Sequence, residues 1–336
     1  MNAYISLSTH SRVFPTFFPP ENIALAHSLG TAVFYDGTDP LTPSAVAAHI
    51  GSADTYVTAW GSPALTREIL DSAPQLRLLV HLCGTVVPFV TDEMWERGIR
   101  VISGNEFFAE SVAEGVIGYV LSALREIPGY STRLKEHGIW KASDDYNRSL
   151  IGKTVGIVSY GTIARHLVRM LAPFRVRIKV YDIAPLPEAD VAQYGLEAVS
   201  LEELFSTCDI VSLHTPLYDK TYHLIGEELL RLLPDGALFV NTSRGAIVDQ
   251  QALERRLSSG RFRAVLDVYE TEPLPKESPL RTFENVLLMP HMAGPTVDLR
   301  KEITRALLLE ASEFLKSEGP LPHEITRKKA ETMSRS

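Results

Sequence analysis

Three side chains of this sequence are of types that move protons or grip carboxylates, and each stands just beyond an apolar run. His291 follows Val286–Met289 and precedes Ala293-Gly294-Pro295. Imidazole suits proton transfer near neutral pH, above all where a carboxylate orients it. Glu272, in Asp267-Val-Tyr-Glu-Thr-Glu-Pro273, is the candidate carboxylate. Arg244, followed by Gly245, carries a planar fork matched to a carboxylate or carbonyl oxygen. Singly, none is diagnostic: most arginines lie on surfaces, and a lone histidine is more often structural in a chain that has ten.

Their placement says more. In an open α/β sheet, ligands bind outside the carboxyl ends of the strands. The run Val155–Val158 leads into the small-residue turn Ser159–Ala164, and Ile178–Tyr181 ends at Asp182. Ile210–Leu213 leads into His214-Thr215-Pro216, and Ala237–Val240 into Asn241-Thr242-Ser243-Arg244. Ala264–Leu266 ends at Asp267, and Val286–Met289 at Pro290-His291. A polar or titratable group thus occupies every expected strand end. Against the dinucleotide pattern Gly-x-Gly-x-x-Gly/Ala the turn offers Ser159, Gly161 and Ala164, so only the central glycine is secure. Such a turn lets backbone approach a pyrophosphate at a helix N-terminus. Asp182 lies roughly twenty residues further on, where a carboxylate accepts hydrogen bonds from a ribose diol and repels a 2′-phosphate. No arginine follows it in Ile183-Ala184-Pro185, which favours NAD over NADP.

Helical stretches at 164–171, 226–233 and 250–257 separate these runs, so six strands with crossovers are expected. The first hundred residues have the same rhythm. Runs at Ala3–Leu7, Ala32–Tyr35, Tyr56–Trp60, Leu76–Leu82 and Ile99–Ile102 alternate with helical segments such as Glu21–Leu29 and Pro43–His49. That pattern predicts a second, smaller doubly wound parallel sheet without a glycine-rich nucleotide turn. The Pro-rich Phe14–Pro20 reads as a surface connection. Ala109–Ile127 carries an apolar stripe at helical spacing, which suits a core helix or a subunit-interface helix equally. Gly115 and Gly118 in it permit close approach of another backbone. A last helix spans Val297–Leu315, and Arg327–Ser336 reads as a loose tail.

Length and composition narrow the setting. A chain of 336 residues suits about two domains. The net charge of -8 gives no reason to expect nucleic acid as a partner. Cys83 and Cys208 are far apart and lack metal-ligand spacing, so neither a disulfide framework nor a metal site is expected. No signal peptide is evident and no run of about 18 apolar residues occurs, so a soluble, cytoplasmic protein without membrane contact is expected.

At this point five stretches amount to a family resemblance. Gly152–Val158, Leu213-His-Thr-Pro-Leu217, Val240-Asn-Thr-Ser-Arg-Gly245, Leu266-Asp-Val-Tyr-Glu-Thr-Glu-Pro-Leu274 and Pro290-His-Met-Ala-Gly294 follow one another at the family's spacing. The chain resembles the NAD-dependent D-2-hydroxyacid dehydrogenases, the group that includes phosphoglycerate dehydrogenase and glyoxylate/hydroxypyruvate reductase. The resemblance implies an α/β fold of two doubly wound parallel-sheet domains. A Rossmann NAD-binding domain, 105–291, is inserted into a flavodoxin-like substrate domain made of 1–104 and 292–336. It implies hydride transfer between NAD(H) and a 2-keto/D-2-hydroxy acid. Arg244 then binds the substrate's carboxylate and carbonyl oxygen, His291 is the general acid/base, and Glu272 is its partner. Cofactor contacts fall to Tyr160, Gly161, Thr162, Ile163, Asp182, His214, Thr215, Pro216, Thr221, Thr242, Ser243, Asp267 and Gly294, with Asp267 at the nicotinamide carboxamide. The substrate loop maps to Cys83, Gly84 and Thr85.

Family members are usually homodimers, with the counterpart of the 109–127 helix at the subunit contact. Two departures stand out: Ser159 replaces the first turn glycine, and His81–Pro88 departs from the family's Gly-Ala-Gly-Val-Asp loop. They motivate an alternative, an NADH-responsive binding protein like the family's corepressor relatives. Glu272 argues against a formate dehydrogenase, which places glutamine there.

Overall fold

The structure, a computed structural model, describes residues 1–141 and 146–334. The chain forms two compact units: residues 1–108 with 295–336, and residues 109–294.

The first unit is built on β1 (Asn2–Ile5), β2 (Thr31–Phe34), β3 (Thr55–Thr58), β4 (Leu78–His81) and β5 (Arg100–Ser103). They pair in parallel in the order β2-β1-β3-β4-β5. Alternate side chains of one strand point to opposite faces, and here both faces are covered. Ile5, Val57 and Val80 join a cluster with Phe17, Phe18, Leu307 and Ala311; Tyr4, Tyr56 and Leu79 join another with Val46, Ile69 and Ile325. Two expectations fail in this unit. Phe14–Pro20 is no surface connection: Phe14–Phe17 is a short helix, and Phe14, Phe17 and Phe18 are buried against the sheet. Its aromatic rings outweigh its prolines. Nor is the chain loose from Arg327. Thr326 caps a short helix, Arg327–Ala330, by accepting from the Lys329 N–H, and Ala330 is buried. The Thr85 hydroxyl donates to the Ser334 carbonyl at 2.8 Å.

The second unit has seven parallel strands: β6 (Thr154–Val158), β7 (Arg177–Tyr181), β8 (Leu196–Ala198), β9 (Ile210–Leu213), β10 (Leu238–Asn241), β11 (Arg263–Leu266) and β12 (Val286–Leu288). Their order is β12-β11-β10-β9-β6-β7-β8. The strand absent from the sequence reading is β8, an edge strand of which only Leu196 is buried. The chain runs outward from β6 in one direction and from β9 in the other. The carboxyl ends of β6 and β9 therefore flank a topological switch point.

The long helix spans Asn105–Leu124, earlier than the expected 109–127. Glu126 then takes a left-handed conformation (φ 52°) before a second helix, Ile127–His137. By length and composition alone the first helix could cross a membrane. Here its Ala113, Val116, Val120 and Leu124 pack on Val155, Ile157 and Leu167. Gly115 allows a close approach, since a Cβ there would lie 3.0 Å from the Ala293 carbonyl oxygen. At Gly118 nothing among the described residues of this chain lies within reach of a Cβ.

Candidate active site

The turn after β6 begins with Ser159 at φ 75°, the left-handed conformation that glycine adopts freely. Its hydroxyl lies 2.9 Å from that of Thr215, which links the ends of β6 and β9. The serine keeps the backbone path of the missing glycine and adds a cross-strand hydrogen bond. Gly161 precedes the helix Thr162–Leu171, which has no side-chain cap, and a Cβ at Gly161 would meet nothing. The N–H groups of a helix's first turn lack intrahelical partners, so Thr162 and Ile163 present donors beside an open glycine. That is a fit for a pyrophosphate. Asp182 accepts from the Tyr160 N–H (2.6 Å) and the Ala184 N–H (2.8 Å), which fixes its carboxylate against the turn. Carboxylate oxygens have further lone pairs for a ribose diol. The Tyr160 ring itself is buried.

Across the switch point, His214 is buried beside Ser212 (3.0 Å), and burial lowers its pKa to about 4. It is a neutral ring, not a proton donor at neutral pH. Thr221 folds the next loop: its hydroxyl donates to the Pro216 carbonyl and accepts from the Tyr218 N–H. Beyond β10, the Asn241 carboxamide oxygen accepts from the N–H and hydroxyl of Ser243. Thr242 is buried, and its hydroxyl has no partner among the described residues.

Arg244, Glu272 and His291 come from the ends of three successive strands, β10, β11 and β12. The Arg244 Nη1 donates to the Ser243 carbonyl at 2.7 Å. Burial lowers its pKa, while the charge of Glu272 acts the other way. Gly245 lets this loop touch the next: a Cβ there would fall 1.9 Å from the Tyr269 carbonyl carbon. Tyr269 organises the rest. Its hydroxyl donates to the Leu266 and Met289 carbonyls, joining the ends of β11 and β12, and its N–H donates to Glu272 Oε1 at 3.0 Å. Glu272 Oε2 lies 2.7 Å from His291 Nδ1. A carboxylate only accepts, so Nδ1 carries the proton and Nε2 is the outward nitrogen. The His291 side chain is half exposed.

Asp267 is buried, and its two oxygens accept from the Met292 and Ala293 N–H groups at 2.7 and 2.8 Å. Burial raises its pKa, and these two bonds oppose the shift. This carboxylate therefore clamps the loop that holds His291 at φ 56°. Gly294 closes that loop, beside buried Ala293. Gly245 and Tyr269 are residues that sequence reasoning gave no role, and Ser159 it read only as a departure from the turn's first glycine. A glycine directly after Arg244 was the one signal for a close contact.

In the first unit, the Cys83 thiol is buried and its pKa rises to about 12. Gly84 is part-exposed, and its carbonyl accepts from the Ser103 hydroxyl at 3.2 Å. The Thr85 hydroxyl is committed to Ser334.

Comparison with known proteins converges on one family. The profile of the D-isomer specific 2-hydroxyacid dehydrogenase NAD binding domain matches residues 117–293, more than half of the chain. A glyoxylate reductase of Thermofilum pendens is 35% identical over 258 residues, 75% of this chain and 76% of that one. Another, from Korarchaeum cryptofilum, is 32% identical over 286 residues, 84% of this chain and 85% of that one. The solved structure of a phosphoglycerate oxidoreductase from Rhizobium etli is similar with a TM-score of 0.80 at 27% identity. It covers 97% of this chain and 99% of that one. These relatives are enzymes, and the binding-protein alternative is not favoured. The chain belongs to the D-isomer specific 2-hydroxyacid dehydrogenases, which use NAD to interconvert 2-hydroxy and 2-keto acids.

Proposed function

We propose that the chain reduces a small 2-keto acid, with His291 donating the proton and Arg244 holding the substrate's oxygens. The observation that carries this reading is the hydrogen-bonded chain from the Tyr269 N–H through Glu272 to His291. It fixes the ring, leaves Nε2 outermost and sets a carboxylate behind any positive charge on the imidazole. NADH supplies the hydride. With both ring nitrogens protonated, His291 gives its Nε2 proton to the carbonyl oxygen as it becomes an alkoxide and is left neutral with its proton on Nδ1; in the reverse direction Nε2 takes that proton back. Arg244, largely desolvated, orients the carboxylate and carbonyl by two parallel N–H donors. The turn 159–163, Asp182 and the loops at 214–221 and 242–243 hold the dinucleotide.

The names of the relatives suggest the substrates to try: glyoxylate, hydroxypyruvate and 3-phosphohydroxypyruvate. Each should be assayed with NADH and NADPH in parallel. We expect NADH oxidation with at least one, and Arg244→Ala should abolish it while NADH still binds. A clear NADPH preference would overturn the role of Asp182, and full activity in Arg244→Ala would overturn that of Arg244.

A homodimer in the cytoplasm completes this reading, without nucleic acid or membrane partners. It is supported by the exposed Ile127, Leu134, Ile139 and Trp140 on and after the helix Ile127–His137. An apolar row of that kind suits burial against a second copy. Sedimentation of Leu134→Glu as a dimer indistinguishable from the native one would count against it.

A further inference from the structure

We propose that His223 is a positioning residue: paired with Glu270, it braces the segment 269–272 so that Glu272 is held against His291. This rests on the reading of His291 as the proton donor. His223 stands in the loop after β9 at φ 51°, a conformation that a residue with a side chain keeps only where its surroundings fix it. Two contacts do so. Its N–H donates to the Ala246 carbonyl at 2.9 Å, and its ring stacks on Tyr222 with centroids 4.0 Å apart. Nε2 of the ring then lies 2.6 Å from Glu270 Oε1. A carboxylate only accepts, so this nitrogen carries a proton.

Glu270 is held from a second side. Its Oε1 also accepts from the Gln250 N–H at 3.2 Å, and its own N–H donates to the Gln250 side-chain oxygen at 3.2 Å. The loops after β9, β10 and β11 thus meet at one carboxylate. Gly245 shows how tightly they meet, since a Cβ there would lie 2.4 Å from the Glu270 nitrogen. A fully exposed ion pair contributes little. Here the two side chains are only 33% and 31% exposed, and main-chain donors and acceptors complete the junction.

The same short segment carries the carboxylate of the proposed catalytic pair. Tyr269, next to Glu270, donates its N–H to Glu272 Oε1, and Glu272 Oε2 faces His291 Nδ1. Four residues therefore hold two imidazole–carboxylate pairs, one anchored on neighbouring loops and one ending at the half-exposed His291. Movement of Glu270 is passed through Tyr269 to the N–H that aims Glu272. The other charges acting on the Glu272–His291 pair are Asp267 and Arg244, and both are kept in the variants below.

The test follows the ionisation of His291 in the full chain. A nearby carboxylate favours the charged imidazole, so loosening Glu272 lowers the pH at which His291 gives up its proton. In His223→Ala, the alkaline limb of the kcat/KM profile for keto-acid reduction should move down by about half a pH unit or more. His223→Gln, with an amide donor of similar reach, should return most of that shift. His223→Leu fills the space beside Tyr222 without a donor and should behave as Ala does, so it serves if the Ala variant does not fold. The same ionisation is read without turnover from the ring signals of His291 in NMR titrations, identified by their loss in His291→Asn. A merely structural role would lower the melting temperature and leave this ionisation in place. An unmoved ionisation in the Ala or Leu variant, or one equally displaced in the Gln variant, refutes the brace. If the ionisation moves as expected but no keto acid is reduced, the brace stands and the reaction assigned to His291 fails.

Discussion

The carboxyl ends of β10, β11 and β12 carry an arginine, two carboxylates and a half-exposed histidine. Those of β3 and β4 carry a tryptophan, a buried thiol and a histidine that burial keeps neutral. His81 lies tilted against Phe89 with ring centroids 4.3 Å apart, sits 3.0 Å from the Thr58 hydroxyl, and has its pKa lowered to about 3 by burial. His291 has the Glu272 carboxylate and open solvent. Two imidazoles at strand ends of two similar sheets thus stand in opposite surroundings. What separates them is the surroundings: in the second unit main-chain N–H groups fix Glu272 and the His291 loop, whereas in the first burial alone lowers the pKa of His81.

The sharpest way to break this contrast is to remove each histidine. His291→Ala should lower kcat about a thousand-fold, the usual scale for a lost general acid, with NADH binding retained. Retention of most of the rate would remove its distinction from His81. Next in size is Gly245→Ala, whose Cβ cannot coexist with the Tyr269 main chain. Forcing the segments apart should cost about 3 kcal/mol in urea unfolding and reduce turnover as well. A variant as stable and active as the native protein would mean the two loops do not meet.

The His81 prediction is about pH. Its folded pKa lies below the unfolded value, so its contribution is intact above about pH 6.5 and is lost as pH falls toward 3. Asn at this position keeps an acceptor for Thr58 and does not titrate. Between pH 7 and 5 the native protein should lose about 2 kcal/mol more than His81→Asn. Equal losses would show His81 to be solvated. The smallest effect belongs to Ser159→Gly. Relief of a left-handed serine and loss of its bond to Thr215 nearly offset one another, so melting should show a change within about 1 kcal/mol. A larger loss would make Ser159 a structural tie rather than a substitute glycine.

Much of the fold was legible because parallel strands covered on both faces are continuous apolar runs, as Thr154–Val158 and Ile210–Leu213 are. β8 was not, because two of its three residues are exposed and leave no apolar pattern. The 14–20 segment and the last helix were misread for a shared reason. Their prolines and lysines are surface types, whereas Phe17, Phe18 and Ala330, buried in the folded unit, decide the outcome. At the site, residue types and strand ends were legible and contacts were not. Glu272 and His291 stand 19 residues apart, and they meet only because Tyr269 joins two strand ends and Asp267 clamps the loop. Hydrogen bonds of that kind follow from the folded path of the chain, not from spacing.

The strand order has one further consequence. β6, β7 and the turn at Ser159 lie on one side of β9, while Arg244, Glu272 and His291 follow strands on the other. If the proposed roles hold, dinucleotide preference and proton handling occupy separate halves of one sheet. Under that reading, mutational libraries at Arg244, Glu272 and His291 would retune reactivity while Asp182 and its turn stay fixed, so the two traits would be open to independent selection.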